Sequence, residues 1–338
     1  MLDKLKRIVE MLDLDLKGAR VLTEAATGAY SVTPILAALS GAEVYAYAKS
    51  SRYASVEEAI STVLDLADAS SVYIHPVQSL DQSVLSQVDL VTNSGHLRPL
   101  NQSMLQHLKK GAVISYMYEK WEYRESDLDL GYCREFGIRV AATNERHPKL
   151  AVFDYLGELA IRLLHQSNVA LTHNRLILIS NNAFGPYIAK VIAPLCLELG
   201  VVDVLEQKAA YAESENSVFL SAFPTVDIPD RFSDTEAILF TAYPFDQAWF
   251  GVGQPLNPSC FSKLSRPKLL RFCGDIDTAN CDRYGVRYFP ECVASGHMGV
   301  LLSDISYDPI IRLQAGGLRV GQALLNREYT HSMLEMMV

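Results

Sequence analysis

The stretch from Arg175 to Glu206, RLILISNNAFGPYIAKVIAPLCLELGVVDVLE, allows few folds. Leu176–Ile179 is a short apolar run, the mark of a strand buried on both faces. Ser180–Gly185 is a polar turn, and from Pro186 onward Ile188, Val191, Ile192, Leu195 and Leu199 recur at helical spacing. Gly200 is expected to stop that helix, with Val201–Leu205 a second strand ending in Glu206. Strand, tight turn, helix and strand form the opening unit of a nucleotide-binding α/β domain. Its turn holds a pyrophosphate at the helix N-terminus, and an acid ending the second strand holds the ribose hydroxyls. That pattern assigns NAD contacts to Ser180, Asn182, Phe184, Gly185 and Glu206, and the acid disfavours the 2′-phosphate of NADP. A full glycine fingerprint would place Gly at positions 180, 182 and 185, and only Gly185 is present. Asn181 or Asn182 then has to supply a left-handed turn residue, since Asn tolerates that backbone. A βαβ unit that binds no nucleotide is the alternative.

Alternation of strand and helix runs through the whole chain. The first half carries apolar runs at Ala19–Glu24, Glu43–Ala48, Val72–His75, Val88–Asn93, Ala112–Met117 and Ile138–Thr143. Helical spacing separates them at Ser31–Leu39, Val56–Ala67 and Gln102–Leu108. A long helical pattern over Lys149–His165 leads into the strand at Leu176. The second half repeats the scheme with strands at Val201–Leu205, Val218–Ala222, Ala237–Thr241, Leu269–Cys273 and Val286–Phe289, and closes with a helix over Asp308–Leu325. The expected fold is α/β: two Rossmann-like or flavodoxin-like parallel-sheet domains joined by two long crossover helices. Residues 1–150 plus 308–338 would form a substrate domain and residues 151–307 a dinucleotide-binding domain, with a cleft between them.

With 338 residues, about half of them hydrophobic, the chain is long enough for two cores. A formal net charge of −9 and the lack of a lysine- or arginine-rich block argue against nucleic acid as a partner. No apolar run approaches the ~20 residues of a membrane span, and the charged amphipathic N-terminus does not read as a signal peptide. The six cysteines show neither a CxxC pair nor metal-type spacing, so no metal site is expected. Buried reduced thiols in a cytoplasmic protein are the expectation.

Near the middle, DLDLGYCREFGIRVAATNERHPKLAVFDYLGELAIRLL resembles the crossover region of the D-isomer 2-hydroxyacid dehydrogenases (formate/glycerate dehydrogenase-like). Asp127, Asp129, Gly137, Ile138, Val140 and Asn144 match that family's pattern. AILFTAYP resembles its strand ending in proline, LLRFCGDID its strand with an arginine, and SGHMGVLLSD its turn with a catalytic histidine. The resemblance implies hydride transfer between a nicotinamide and a 2-hydroxy or 2-keto acid, aided by a histidine, an orienting carboxylate and a substrate-holding arginine. His297 falls on the histidine position, with Asp277 or Asp275 as its partner and Asp277 preferred. An imidazole suits acid–base work because it titrates near neutrality. Cys273 stands at the arginine position, and Arg271, two residues earlier on the same strand face, is the candidate replacement. The final helix is expected to return to the first domain, which needs a cover.

A polar cluster also falls at the carboxyl edge of the first domain, where open α/β sheets bind ligands. Asn93, Ser94, His96 and Arg98 follow one strand, and Tyr116, Glu119, Trp121 and Glu122 the next. Glu24, Thr27 and Gly28 follow the first strand, and Asn144–His147 precede the crossover helix. Asn93, Ser94, His96, Arg98 and Tyr116 are the candidate substrate contacts, with Arg98 able to clamp a carboxylate at two points. The leading expectation is an NAD(P)-dependent oxidoreductase acting on a small 2-hydroxy or 2-keto acid in the interdomain cleft. The expected partners are a small-molecule substrate and a second copy of the chain in a homodimer. The alternative is a non-redox nucleotide- or ligand-binding protein that kept the fold and lost the chemistry.

Overall fold

A computed structural model describes residues 1–265 and 267–338. The chain divides into two compact units, Met1–Val152 with Ser306–Val338, and Phe153–Ile305. Both are α/β. The first unit carries parallel strands β1 (Arg20–Glu24), β2 (Glu43–Tyr47), β3 (Ile74–Val77), β4 (Leu90–Thr92), β5 (Val113–Ser115) and β6 (Arg139–Thr143). The second carries β7 (Arg175–Ser180), β8 (Glu198–Asp203), β9 (Ser217–Ala222), β10 (Ala237–Thr241), β11 (Ala248–Phe250), β12 (Lys268–Cys273), β13 (Asp275–Ile276) and β14 (Arg287–Phe289). A last strand, β15 (Leu334–Met336), pairs antiparallel with β6 at the edge of the first sheet. The sheet orders are β15-β6-β5-β4-β1-β2-β3 and β14-β12-β10-β7-β8-β9, with β11 and β13 forming a small separate pair.

Central strands are apolar on both faces because helices cover both sides of a parallel sheet. In the first unit Leu22, Val91, Ile114 and Val140 project from one face into a core that also holds Leu97, Leu100, Leu105 and Cys133. The other face packs against helix Asp308–Leu325, which contacts β4, β5 and β6. Close approach there depends on glycine: a Cβ on Gly321 would stand 2.5 Å from Leu90 Cδ2. In the second unit Ile177, Ile179, Val202, Phe240 and Leu269 join Trp249, Phe250 and Phe261 in one cluster.

Two elements depart from the expected pattern. The helix expected over Lys149–His165 starts only at Leu156 and runs to Gln166, after a 3-10 turn at Val152–Tyr155. Ala151 has a φ of 48°, and the amides of Leu150 and Ala151 both turn back to the His147 carbonyl, so the chain cannot be helical there. Gly200 does not end a helix but lies within β8, where a Cβ would stand 2.7 Å from Leu220 Cδ1. The preceding helix, Phe184–Ile192, ends earlier and passes through a 3-10 turn containing Pro194. Of the free cysteines, Cys133, Cys196, Cys273 and Cys281 are buried, Cys260 is half-buried and Cys292 is exposed.

Replacing Gly321 by valine should lower stability by about 1–3 kcal/mol, the usual effect of overpacking. Urea unfolding of the Gly321→Val protein measures it, and an unchanged midpoint would refute the close packing of this helix on β4.

Candidate functional site

The carboxyl ends of β1, β4 and β5 lie side by side. Leu22 pairs with Val91, and Val91 with Ile114. Continuing that register sets Glu24, Asn93 and Tyr116 in one row, on the sheet face of Leu22, Val91 and Ile114. Hydroxyls occupy the opposite face. Thr92 Oγ1 donates to Thr23 Oγ1 at 2.9 Å and lies 2.8 Å from Ser94 Oγ. The Ser94 hydroxyl is therefore bound within the sheet edge, away from that row.

Asn93 is fully buried, and neither Nδ2 nor Oδ1 has a hydrogen-bond partner. An unpaired buried polar group costs about 1–3 kcal/mol, so the carboxamide marks a place for a polar guest. Glu24 is buried beside it and accepts the His96 N–H at 3.1 Å. Burial holds the Glu24 carboxyl above its ordinary range, against the pull of that hydrogen bond, Arg98 and Lys49. His96 Nδ1 accepts the Lys49 N–H at 3.4 Å. Burial and the Lys49 charge push the imidazole pKa down, which keeps it neutral near pH 7.

Arg98 is placed differently from a two-point carboxylate clamp. Its Nε and Nη2 donate to the Asn93 main-chain carbonyl at 3.2 and 3.0 Å, and Nη1 pairs with Asp127 at 3.2 Å. The guanidinium lies 4.7 Å from the centre of the Tyr118 ring. Arg98 thus brings charge to the site while its fork holds the strand end. The Tyr116 hydroxyl donates to the Glu122 carbonyl at 2.9 Å and accepts the Arg124 N–H at 3.3 Å, so it fastens a loop.

The loops after β5 and β6 are held together by Glu119. Its fully buried carboxylate accepts Trp121 Nε1 at 2.8 Å, Glu145 N at 3.1 Å and Arg146 Nε at 3.1 Å, and forms an ion pair with Arg146 Nη2 at 3.1 Å. Of Asn144–His147, which the sequence leaves between a cleft and a helix cap, Glu145 and Arg146 bond Glu119, while the Asn144 and His147 side chains bond Ser332. Glu122 and Glu145 sit close by. Burial raises both carboxyls; the Glu119 charge adds to the rise at Glu122, and those of Glu122 and Glu119 to the rise at Glu145. Tyr30 lies in the field of Glu24, Glu145, Tyr118 and Arg98. Tyr116 is among the residues expected from the sequence; nothing local in the sequence points to Tyr30.

The second unit presents a closed counterpart. Ser180 ends β7, and its Oγ accepts the Asn182 N–H at 3.3 Å. Asn182 Oδ1 accepts the Phe184 N–H at 2.9 Å, and the Gly185 N–H turns to the Asn182 carbonyl at 3.4 Å. The Asn181 side chain bonds the Tyr243 backbone in both directions, at 2.9 and 2.8 Å. Neither Asn181 nor Asn182 takes a left-handed φ, contrary to expectation. Pro186 has no N–H to offer at the helix start. Phe184 packs into the core, 5.2 Å from the Phe153 ring centre, rather than lining a cofactor groove.

The strand-end acid is also corrected. Glu206 is exposed in the 3-10 turn Leu205–Gln207, beyond the strand, because β8 begins and ends earlier than expected. Asp203 ends β8, fully buried, and accepts a hydrogen bond from the Tyr211 hydroxyl. Burial raises the Asp203 carboxyl. Gly185 is needed beneath this pair: a Cβ there would lie 2.6 Å from Ser180 Oγ and 2.7 Å from Asp203 Oδ2, and would overlap the Tyr211 hydroxyl. A dinucleotide needs amide donors for its pyrophosphate and an open carboxylate for its ribose. Here the Asn182, Phe184 and Gly185 amides and the Asp203 carboxyl are occupied by the chain itself, so these groups do not fit the cofactor.

The proposed acid–base residues are not brought together. Asp277 caps helix Thr278–Arg283 through the Asn280 N–H at 3.0 Å. Arg271 is buried in an ion pair with Asp275, and its Nε donates to the Gly274 carbonyl at 3.0 Å. Asp275 in turn holds Ser295 Oγ at 2.5 Å and the Gly296 N–H at 3.2 Å. Arg271 therefore pins the GHMG turn. His297 is exposed there, with Nδ1 2.9 Å from the Ser295 carbonyl. Cys273 lies 3.0 Å from Thr241 Oγ1, and burial raises its thiol to about 12. Among the described residues no group of three His, Cys, Asp or Glu side chains can hold a metal ion, and no helix is long and apolar enough to cross a membrane.

The fold is shared with a dipicolinate synthase subunit and with formate and D-lactate dehydrogenases. Dipicolinate synthase A chain from Bacillus subtilis superposes with a TM-score of 0.56 at 12% identity, covering 94% of this chain and 98% of its own. A Granulicella formate dehydrogenase gives 0.53 at 12% identity, with coverages of 95% and 98%. Escherichia coli D-lactate dehydrogenase gives 0.52 at 12%, with 94% and 100%. No family profile and no curated protein matches the chain.

Tyr211→Phe should destabilise the protein by about 1–3 kcal/mol, because it strips Oδ2 of a buried carboxyl of the phenol while Oδ1 keeps the Val204 N–H. Denaturant unfolding reads the loss, and an unchanged stability would show that the phenol does not satisfy Asp203.

Proposed function

We propose that the protein binds a small molecule carrying a carboxylate beside a hydroxyl or keto oxygen, at the row formed by Glu24, Asn93 and Tyr116. The reading rests on the unpaired, fully buried carboxamide of Asn93. Lys49 and Arg98 supply positive charge for a carboxylate, and the carboxyls of Glu24 and Glu122 lie in the field of Arg98. A ligand with an anion and a protonatable oxygen on neighbouring atoms matches that mixture. Small 2-hydroxy and 2-keto acids are such molecules.

A second reading is an NAD(P)-dependent oxidoreductase acting on the same acids. The fold shared with formate and D-lactate dehydrogenases favours it; the self-bonded Ser180–Gly185 turn and the Tyr211–Asp203 pair weigh against it. Adding the protein to NADH should leave the coenzyme fluorescence unchanged. A saturable change would restore the redox reading.

Asn93→Leu is the decisive substitution. Removing a buried unpaired amide for an apolar group of similar shape is neutral or stabilising. The variant should therefore match or exceed the wild-type unfolding midpoint while losing at least about tenfold in affinity, roughly 1.4 kcal/mol, for the acid found by a calorimetric screen of 2-hydroxy and 2-keto acids. Retained affinity would remove Asn93 from the site.

A further inference from the structure

Arg312, Gly316, Arg319 and Ala323 are three or four residues apart and form one stripe of helix Asp308–Leu325. Arg319 is only 9% exposed. Its Nη2 pairs with Glu328 at 3.0 Å, but Nη1 is closed off from solvent and has no hydrogen-bond partner among the described residues. A circuit of contacts runs from Arg319 back to its own stripe. The Glu328 N–H bonds the Ala323 carbonyl at 2.8 Å, and the Glu328 carbonyl accepts the His331 N–H at 3.0 Å. The next residue, Ser332, has its Oγ 2.9 Å from His147 Nε2, and its carbonyl accepts Asn144 Nδ2 at 3.3 Å. His147 Nδ1 accepts the Lys149 N–H at 3.2 Å. The Lys149 and Leu150 carbonyls accept Arg312 Nη1 at 3.2 and 3.3 Å, and a Cβ on Gly316 would stand 2.5 Å from Leu150 Cδ1. The loop after β6, the turn before β15 and the helix stripe thus enclose one corner of the first unit.

Thr143 brings a second unpaired group to this corner. It is fully buried, and its Oγ1 has no hydrogen-bond partner among the described residues. Val140 and Ala142 point into the core on the far face of the sheet, so Ala141 and Thr143 face the helix. Ser115, paired with Ala141, donates there to the Gly317 carbonyl at 2.6 Å. Thr143 pairs with Leu334, and the N–H of Asn144 bonds the Met333 carbonyl at 2.8 Å, which sets Thr143 beside the turn that carries Glu328 and His331. The corner is rich in positive charge. Lys149 Nζ donates to the Met11 carbonyl at 3.1 Å and Arg312 to the two carbonyls above, and neither forms an ion pair among the described residues. Glu328 is the carboxylate of the circuit, and its Oε1 also accepts Asn326 Nδ2 at 3.2 Å. Backbone N–H groups bond Nδ1 of both His147 and His331, at 3.2 and 3.3 Å, so the neutral rings carry their protons on Nε2. Burial, and the charges of Arg319, His147 and Lys149, lower the His331 pKa.

We propose that this corner binds a chloride-sized anion, held by Arg319 Nη1 and Thr143 Oγ1. A buried guanidinium is unfavourable unless its charge is paired and its N–H groups are bonded. A water would meet the hydrogen bonds but not the excess charge of Arg319, Lys149 and Arg312 over Glu328. A monatomic anion suits the place better than phosphate, because both unpaired atoms are shut off from solvent. The site is independent of the Asn93 row. That row stands on the sheet face of Leu22, Val91 and Ile114, whereas Thr143 stands on the face covered by the helix. An anion here would tie the turn before β15 to the loop after β6, and so hold the antiparallel edge strand in place.

Chloride-35 line widths test binding directly. The wild-type protein should broaden the chloride signal saturably, and bromide should compete the broadening away. With ionic strength held constant by gluconate, which is too large to enter, melting temperature should rise by about 2–5 °C for each tenfold increase in chloride above the dissociation constant. Arg319→Met keeps the aliphatic stem and Thr143→Val keeps the shape, and each should abolish the chloride dependence. Lys6→Ala, at an exposed position of the first helix, should retain it. No saturable broadening with the wild type overturns the proposal, as does chloride dependence retained in folded Arg319→Met or Thr143→Val. Should both variants fail to fold, anomalous diffraction from wild-type crystals grown in bromide replaces them. A bromide within hydrogen-bond reach of Arg319 Nη1 supports the site, and a water alone at that place overturns it.

Discussion

The buried carboxylate of Glu119 holds the functional edge of the first unit in place. An ionised carboxylate taken out of water is strongly unfavourable unless its oxygens are fully paired. Here the indole of Trp121, the amide of Glu145 and the guanidinium of Arg146 pair it. Those partners come from the loops after β5 and β6, so satisfying one charge fixes both loops at once. The Glu119 carbonyl also accepts the Glu122 N–H at 3.1 Å, so Glu119 ties down both loops through main chain and side chain.

The two units treat polar groups at their strand ends in opposite ways. In the second, Ser180, Asn181, Asn182 and Asp203 each find a partner within the chain. In the first, Asn93 finds none. A sheet edge that has satisfied itself has little to offer a guest; one that has not is ready to bind. Both units are α/β, and that architecture does not decide which of them binds a ligand.

Much of the architecture was legible because strands in a covered parallel sheet are apolar throughout and the helices between them keep their own period. β15 was missed, since the three residues LEM are too few for a strand period to stand out and take their place only by pairing with β6. Glu206 was chosen in place of Asp203 because the start of β8 depends on where the preceding helix ends, and Pro194 ends it early. The cluster around Asn93 was visible as polar residues following strands. What each does was not, since the Arg98 fork, the Glu119 clamp and the Tyr211 hydroxyl all depend on distant partners. The GHMG turn kept a recognisable spelling while Arg271 and Asp275, which hold it, serve packing.

The first unit is discontinuous: helix Asp308–Leu325 and β15 are separated from β1–β6 by the whole of the second unit. During synthesis from the N-terminus the six parallel strands emerge long before the helix that covers one of their faces. The intervening segment is continuous and can complete its own sheet while the ribosome is still working. The nascent first unit therefore waits half-covered, with an apolar face and the β6 edge open, and the order of assembly runs from the middle of the gene outward.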